Sequence, residues 1–270
     1  MPSPGSSDLD RARHEPSVTL VLPAYNEAER IGSALDELFG YLNREGPARD
    51  GGRPASDMGP VDVLVVDDGS TDRTAAIVSA RPETHGHGHG TLRLMIRQHA
   101  GKGAAVQAGM LEGQGDYILF ADADLATPPD QLPLLTEALK DHDIALGSRV
   151  HPDGSDRRAT QPVHRRLLGR VFHGLAAFWV TGPVPDTQCG FKGFRREAAH
   201  DLFARQQIGG IVFDAEIINL ARKRGYSMAI VPVQWSDKRG SRMRLRPGLA
   251  LRVVYDLFRI PLIHRSVPHR

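Results

Sequence analysis

Short β-branched runs alternate with amphipathic stretches over the first half of this chain. Residues 17–22 read Ser-Val-Thr-Leu-Val-Leu, short enough for a strand buried on both faces, and Pro23 ends the run. A helix is expected to follow, because Ile31, Leu35, Leu38, Phe39 and Leu42 recur at helical spacing. Asn26, with Glu29 three positions later, offers an N-cap in the manner of a capping box. The pattern then repeats, with strands over residues 61–66, 92–96, 117–120 and 144–146 separated by helices over 72–80, 103–111 and 130–140. This alternation predicts an α/β fold with a mainly parallel central sheet flanked by helices, and such sheets bind ligands at the carboxyl ends of their strands.

Residues 46–60 hold four glycines and three prolines without periodicity, which predicts a long connection outside the core. Residues 85–90 repeat His-Gly; the histidines could hold a metal, but the glycines between them favour a solvated surface loop. Residues 167–180 read as an apolar helix interrupted by Arg170 and His173. Residues 247–263 read as a helix with Leu249, Val253, Leu257 and Ile260 on one face, flanked by Arg252 and Arg259. From 238 to 270 there are nine Lys or Arg against Asp256 alone, so this end suits either an anionic membrane surface or packing on the sheet with its arginines in water. The chain thus divides into a disordered tail over 1–16, one domain over 17–245, and a basic amphipathic helix and tail over 246–270.

Composition narrows the function classes. A formal charge of +2 on 270 residues argues against a protein that coats nucleic acid. With 40% hydrophobic and 24% charged residues the chain is far from a disordered composition. A single cysteine, Cys189, excludes an internal disulfide framework and suits a reducing compartment. No apolar stretch approaches the ~18 residues of a spanning helix, and the first fifteen residues lack the apolar centre of a signal peptide. The expectation is a cytoplasmic protein, or one attached to the inner face of a membrane without crossing it.

Polar clusters sit at the predicted strand ends. Pro23-Ala24-Tyr25-Asn26-Glu27 follows the first strand and by itself reads as a strand exit plus a cap. Asp67-Asp68-Gly69-Ser70-Thr71-Asp72 follows the second. One carboxylate would suffice as a cap and adjacent ones repel, so a ligand wanting hydrogen-bond acceptors, such as a base N–H or ribose hydroxyls, explains them better. Asp122-Ala123-Asp124 follows the fourth, with both carboxylates turned to one side of the extended chain. A divalent cation with oxygen ligands, Mg²⁺ or Mn²⁺ completed by substrate phosphates, relieves their repulsion.

Together with Gly101-Lys102-Gly103 ahead of a helix, these clusters resemble the family 2 glycosyltransferases of the GT-A fold, over residues 17 to about 150. Gly147-Ser148-Arg149, Asp186-Thr187-Gln188-Cys189-Gly190-Phe191-Lys192, Phe213-Asp214-Ala215-Glu216, and Val233-Gln234-Trp235 with Gly240-Ser241-Arg242 resemble the polyprenyl-phosphate sugar synthases. Within that group the wording is similar to the dolichyl-phosphate glucosyltransferases, and it extends the resemblance to about residue 245.

The resemblance implies an inverting, metal-dependent hexosyltransferase that moves glucose from UDP-glucose, a nucleotide-sugar donor, to a polyprenyl or dolichyl phosphate, a lipid phosphate acceptor, at a membrane surface. Carried over, Pro23, Ala24, Tyr25, Glu27, Asp67, Asp68, Lys102 and Ala123 line the nucleotide pocket, while Asp122 and Asp124 hold Mg²⁺ or Mn²⁺ and serve catalysis. Arg149 and Arg242, with Arg165, Arg166, Lys238 and Arg239 as further cations, would hold phosphate groups, and Asp186 would orient these arginines or take a proton. Asp214 serves the site or caps a helix. Cys189 has no partner base and reads as a small packed residue. Ala126 stands where mannosyl-phosphate synthases place a metal-binding Gln, which weakens a mannosyl reading. The alternatives are a GDP-mannose donor, a soluble acceptor, or a nucleotide-binding module without catalysis; the intact carboxylate set speaks against the last. A dinucleotide-dependent dehydrogenase fits poorly, since no Gly-x-Gly-x-x-Gly turn follows the first strand.

Overall fold

The computed structural model describes residues 15–44, 54–55, 58–86, 90–150, 174, 177–236 and 247–270. Strands β1 (Val18–Ala24), β2 (Val61–Asp67), β3 (Gly90–Ile96), β4 (Tyr117–Ala121), β5 (Ile144–Ser148), β6 (Phe191–Arg195) and β7 (Met228–Pro232) form one sheet in the order β3-β2-β1-β4-β6-β5-β7. β1 pairs in parallel with β2 and β4, β2 with β3, and β5 with β7, whereas β6 runs antiparallel to both β4 and β5. The register sets Ala24 opposite Asp67 and Asp67 opposite Ile96, so the first three strands end level with one another. Because β6 is reversed, its beginning lies at that same edge, with Phe191 opposite Ala121.

The helices are α1 (Ile31–Leu42), α2 (Thr74–Ser79), α3 (Lys102–Glu112), α4 (Leu132–Ala138), α5 (Arg196–Ala204), α6 (Phe213–Arg224) and α7 (Pro247–Ile263). Ile31, Leu35, Leu38, Phe39 and Leu42 of α1 and Leu132 and Leu135 of α4 pack on one sheet face with Leu20, Leu22, Val63 and Val65. Ala105, Val106 and Met110 of α3, Leu202 and Phe203 of α5, and Phe213 and Ile217 of α6 pack on the other with Val21, Leu64, Val66 and Phe120. Period-two alternation of the strands divides their side chains between the two layers, which is why continuous apolar runs were needed on both faces.

Several expectations change. Asn26 does not cap α1, which begins at Ile31. It adopts a φ of 55°, and its carboxamide oxygen accepts from the Thr71 N–H at 2.8 Å. The loop is drawn instead to the exit of β2, where the Asn26 N–H donates to the Ser70 hydroxyl at 2.9 Å and the Glu27 N–H to that of Thr74 at 2.8 Å. Residues 46–60 do not lie wholly outside the core, because Met58 is buried among α1 and the sheet. The helix expected over 130–140 is shorter: Pro129 opens a 3₁₀ turn, and α4 ends at Ala138. β6 and β7 complete the sheet without having been read from the sequence. Of the His-Gly repeat, His85 closes a 3₁₀ turn and Gly90 opens β3, while residues 87–89 lie outside the described residues, as does most of the helix expected over 167–180. Helix α7 forms as expected, but Leu257 and Ile260 face the protein, in a small core with Val180, Ile208, Val212 and Ala215.

Candidate functional site

Strand exits of β1, β2 and β4 and the start of α3 bound a cleft of about 270 Å³. Pro23, Ala24, Tyr25 and Glu27 line it from the β1 exit, Asp68 from β2, Lys102 from α3, and Asp122, Ala123 and Asp124 from β4. His99, in the loop after β3, completes the wall.

The two adjacent carboxylates after β2 do different work. Asp67 is buried and turned away from the cleft, where it accepts the Ser70 N–H at 2.7 Å and shapes the turn, so it does not line the pocket as the resemblance implied. Asp68 lines the cleft and accepts the N–H groups of Ala100 at 3.1 Å and Gly101 at 2.8 Å, which fixes the loop leading into α3. His99 Nδ1 lies 2.8 Å from Asp68 Oδ2, and the imidazole stacks on Tyr25 with ring centroids 4.2 Å apart. Sequence reasoning used Gly101-Lys102-Gly103 of this loop and missed His99. The signal available was its place at the exit of the third parallel strand.

Asp122 and Asp124 share the cleft as expected. The Lys102 ammonium donates to Asp122 Oδ1 at 2.5 Å, and Arg30 reaches Asp124 Oδ2 at 3.3 Å while also forking onto Glu27. Burial raises the Asp124 carboxyl above its ordinary range and the neighbouring Asp122 adds to the rise, against the pull of the Ala126 N–H, Arg30 and Lys102. For Lys102, burial lowers the ammonium, but Asp122, Asp214 and Asp124 together leave it raised. Two carboxylates forced together in one cleft are a hard oxygen donor pair. Among the described residues no third His, Cys, Asp or Glu joins them, so the set suits a divalent cation whose other ligands come from phosphate oxygens.

Asp122 is held from below by the turn into β6. Its N–H donates to the Gly190 carbonyl at 3.0 Å, and a Cβ on Gly190 would overlap the Asp122 carboxylate. Lys192, two residues on, is fully buried, with its ammonium 2.5 Å from both the Cys189 carbonyl and Asp214 Oδ1. Asp214 therefore neutralises a buried lysine under the cleft and makes no side-chain cap for α6, whose N-cap is Val212. Burial pushes the Cys189 thiol up to about 12, in keeping with a packed residue.

A second polar assembly stands at the β5 exit. Arg149 forks onto Asp186, with Nε at 2.7 Å and an Nη at 2.8 Å, and its guanidinium lies 5.5 Å from the Trp235 ring centroid. Burial lowers the guanidinium, but Asp186 outweighs it and holds the charge on, with a smaller pull from Asp122. Asp186 and Arg149 are thus brought together beside the cleft and do not line it. Arg242, Arg165, Arg166, Lys238 and Arg239 lie outside the described residues.

Residues 19–203 match the family described as Glycosyl transferase family 2. A dolichyl-phosphate beta-glucosyltransferase of Trichomonas vaginalis is 38% identical over 255 residues, covering 92% of this chain and 72% of that protein. The dolichyl-phosphate beta-glucosyltransferase of Homo sapiens is 33% identical over 233 residues, covering 84% and 69%. Among solved structures, glucosyl-3-phosphoglycerate synthase from Mycobacterium tuberculosis, in complex with Mn²⁺, uridine diphosphate and glucosyl-3-phosphoglycerate, superposes with a TM-score of 0.59 at 20% identity, covering 99% of this chain and 86% of that one. The mannosyltransferase from Pyrobaculum calidifontis with GDP-Man and Mn²⁺ gives 0.53 at 20% identity, covering 93% and 71%. These structures establish the fold as GT-A. With a match that runs from β1 to α5 and identity above 30% sustained over most of both chains, this chain belongs to glycosyl transferase family 2.

Proposed function

We propose that the chain is an inverting transferase that moves glucose from UDP-glucose to a polyprenyl phosphate of the dolichyl type. The supporting observation is the cleft at the strand exits, where Asp68, Asp122, Asp124 and Lys102 converge in a chain whose relatives are named for glucosyl transfer to dolichyl phosphate.

In this reading Pro23, Ala24, Tyr25, His99 and Asp68 receive the nucleoside, and Glu27 steadies Arg30 beside Asp124. Asp122 and Asp124 would hold Mg²⁺ or Mn²⁺, and the bound cation supplies charge neutralisation for the departing diphosphate. Lys102 adds a positive charge at the same phosphates, with Ala123 lining the cleft between the carboxylates.

The acceptor supplies its own nucleophile. A phosphate monoester has its second ionisation near ~6, so its oxygen is anionic at neutral pH and needs no strong base. The protein's task is then to set that oxygen in line with the anomeric carbon. Arg149, locked by Asp186 and backed by Trp235, presents a preorganised guanidinium for the acceptor phosphate. Asp186, fully engaged by Arg149, orients that cation and takes no proton. Residues 17–245 act as the transferase domain and 246–270 as its attachment. In this reading the reaction runs at the cytoplasmic face of the membrane, a side that suits a nucleotide-sugar donor.

The test is a screen of radiolabelled nucleotide sugars against short-chain polyprenyl phosphates. Label is expected to pass from UDP-glucose, to stop on chelation, and to fall about 10²-fold or more in Asp122→Ala. Full transfer by that variant, preference for GDP-mannose, or transfer only to a soluble acceptor would overturn the reading.

A further inference from the structure

Helix α7 is apolar on two faces, and among the described residues the protein covers only one. Leu257 and Ile260 are buried in the small core beneath the helix, and His264 Nε2 reaches the buried Glu216 at 2.7 Å. At about 100° of turn per residue, Leu251, Val254, Tyr255, Phe258 and Leu262 fall together on the opposite side. They stand in solvent: Leu251 is 73% exposed, Tyr255 64% and Leu262 66%. The residues before β6 lengthen the strip. The Trp179 indole N–H donates to the Phe258 carbonyl at 3.2 Å, their rings lie 5.7 Å apart, and Phe178 is 88% exposed. Scattered exposed apolar residues are ordinary, but a contiguous strip of this kind marks an interaction surface.

The charges around the strip say what kind of partner it fits. On the helix, Arg252 and Arg259 flank one side of it, and Arg265 follows just past the helix end. Asp256, turned inward, is the only acid in residues 247–270 against four arginines, and it lies 3.8 Å from Arg252 and 3.7 Å from Arg259. A second copy docked strip to strip would crowd arginine against arginine. Anionic headgroups would neutralise the same rim, while Tyr255, with an apolar ring and a polar tip, matches the level between headgroup and acyl chain.

We propose that the outward strip of α7, with Phe178 and Trp179, is a membrane-docking surface that seats on an anionic bilayer, its apolar side chains among the acyl chains and its arginines on the lipid phosphates. Its purpose rests on the lipid-acceptor reading, since it would bring the site to its acceptor, but its physical basis is the exposed strip and its basic rim.

The experiment is co-sedimentation of the full chain with phosphatidylcholine vesicles, with and without phosphatidylglycerol, at low and high salt. Binding is expected to the anionic vesicles and to weaken with salt. The triple variant Leu251→Ser, Tyr255→Ser, Leu262→Ser should partition about tenfold less or lower still, with its melting temperature and UDP binding unchanged. Absence of wild-type binding to anionic vesicles, equal binding by the triple variant, or a concentration-dependent dimer that this variant dissolves would each overturn the proposal. Transfer to a water-soluble short-chain polyprenyl phosphate, run in parallel, separates the two claims. Vesicle binding without transfer supports the docking surface and sinks the lipid-acceptor reading; transfer without vesicle binding does the reverse.

Discussion

Gly190 has no chemistry of its own, yet the site depends on it. Its backbone takes the Asp122 N–H and leaves no space for a side chain beside the carboxylate. Gly190→Ala should therefore shift Asp122 and lower transfer about a hundredfold. Calorimetric titration of Mn²⁺ in the presence of UDP should show the loss of affinity, with the far-ultraviolet dichroism unchanged. Cys189, the adjacent residue, makes the opposite prediction. With its thiol pushed up to about 12 and buried, the native protein should resist iodoacetamide at neutral pH and be labelled only on unfolding, while Cys189→Ala keeps full transfer. Asp122 and Asp124 were legible in the sequence because an apolar run ends in them. Gly190 and Lys192 were not, because their roles arise only when a reversed strand brings their turn against a residue some seventy positions away. His99 was missed for a related reason: it gains meaning from Tyr25 and Asp68, which lie on two other strand exits.

At the level of elements, the parallel half of the sheet was readable because each of its strands is a short β-branched run closed by a polar cluster. β6 lacks the unbroken apolar run of the parallel strands, because Gly193 and the buried Lys192, neutralised by Asp214, interrupt it. For helix α7 the face carrying Val253, Leu257 and Ile260 was legible, but whether protein or membrane covers it was open until that face is seen packed on Val180 and Ala215. The start of β5 carries a testable link to β7. The Asp143 carboxylate, despite partial burial that would raise it, is held below its ordinary 3.8 by the N–H and hydroxyl of Ser227. A carboxyl depressed on folding contributes stability above its unfolded value, and that contribution is lost as the pH falls through the folded one. Ser227→Ala should cost about 1 kcal/mol at neutral pH, and the gap from wild type should narrow in urea titrations as the pH falls below the ordinary carboxylate range.

For the molecule as a whole, a ligand that binds only the folded chain raises its stability by an amount set by concentration over affinity. UDP with Mn²⁺ at about a hundred times its dissociation constant should add about 2.7 kcal/mol to unfolding, seen as a higher melting temperature. Chelation should remove most of that gain, and GDP should give less than UDP. The strand order carries a further consequence. The nucleotide side of the cleft is written by strands leaving the sheet, whereas the turn beneath Asp122 is written by a strand entering it, because β6 runs backwards between β4 and β5. In the proposed reading the residues assigned to the nucleotide precede β5, whereas Arg149 and Asp186, assigned to the acceptor phosphate, follow it. A chimera exchanging everything after β5 with a relative should keep its choice of nucleotide while inheriting a new choice of acceptor.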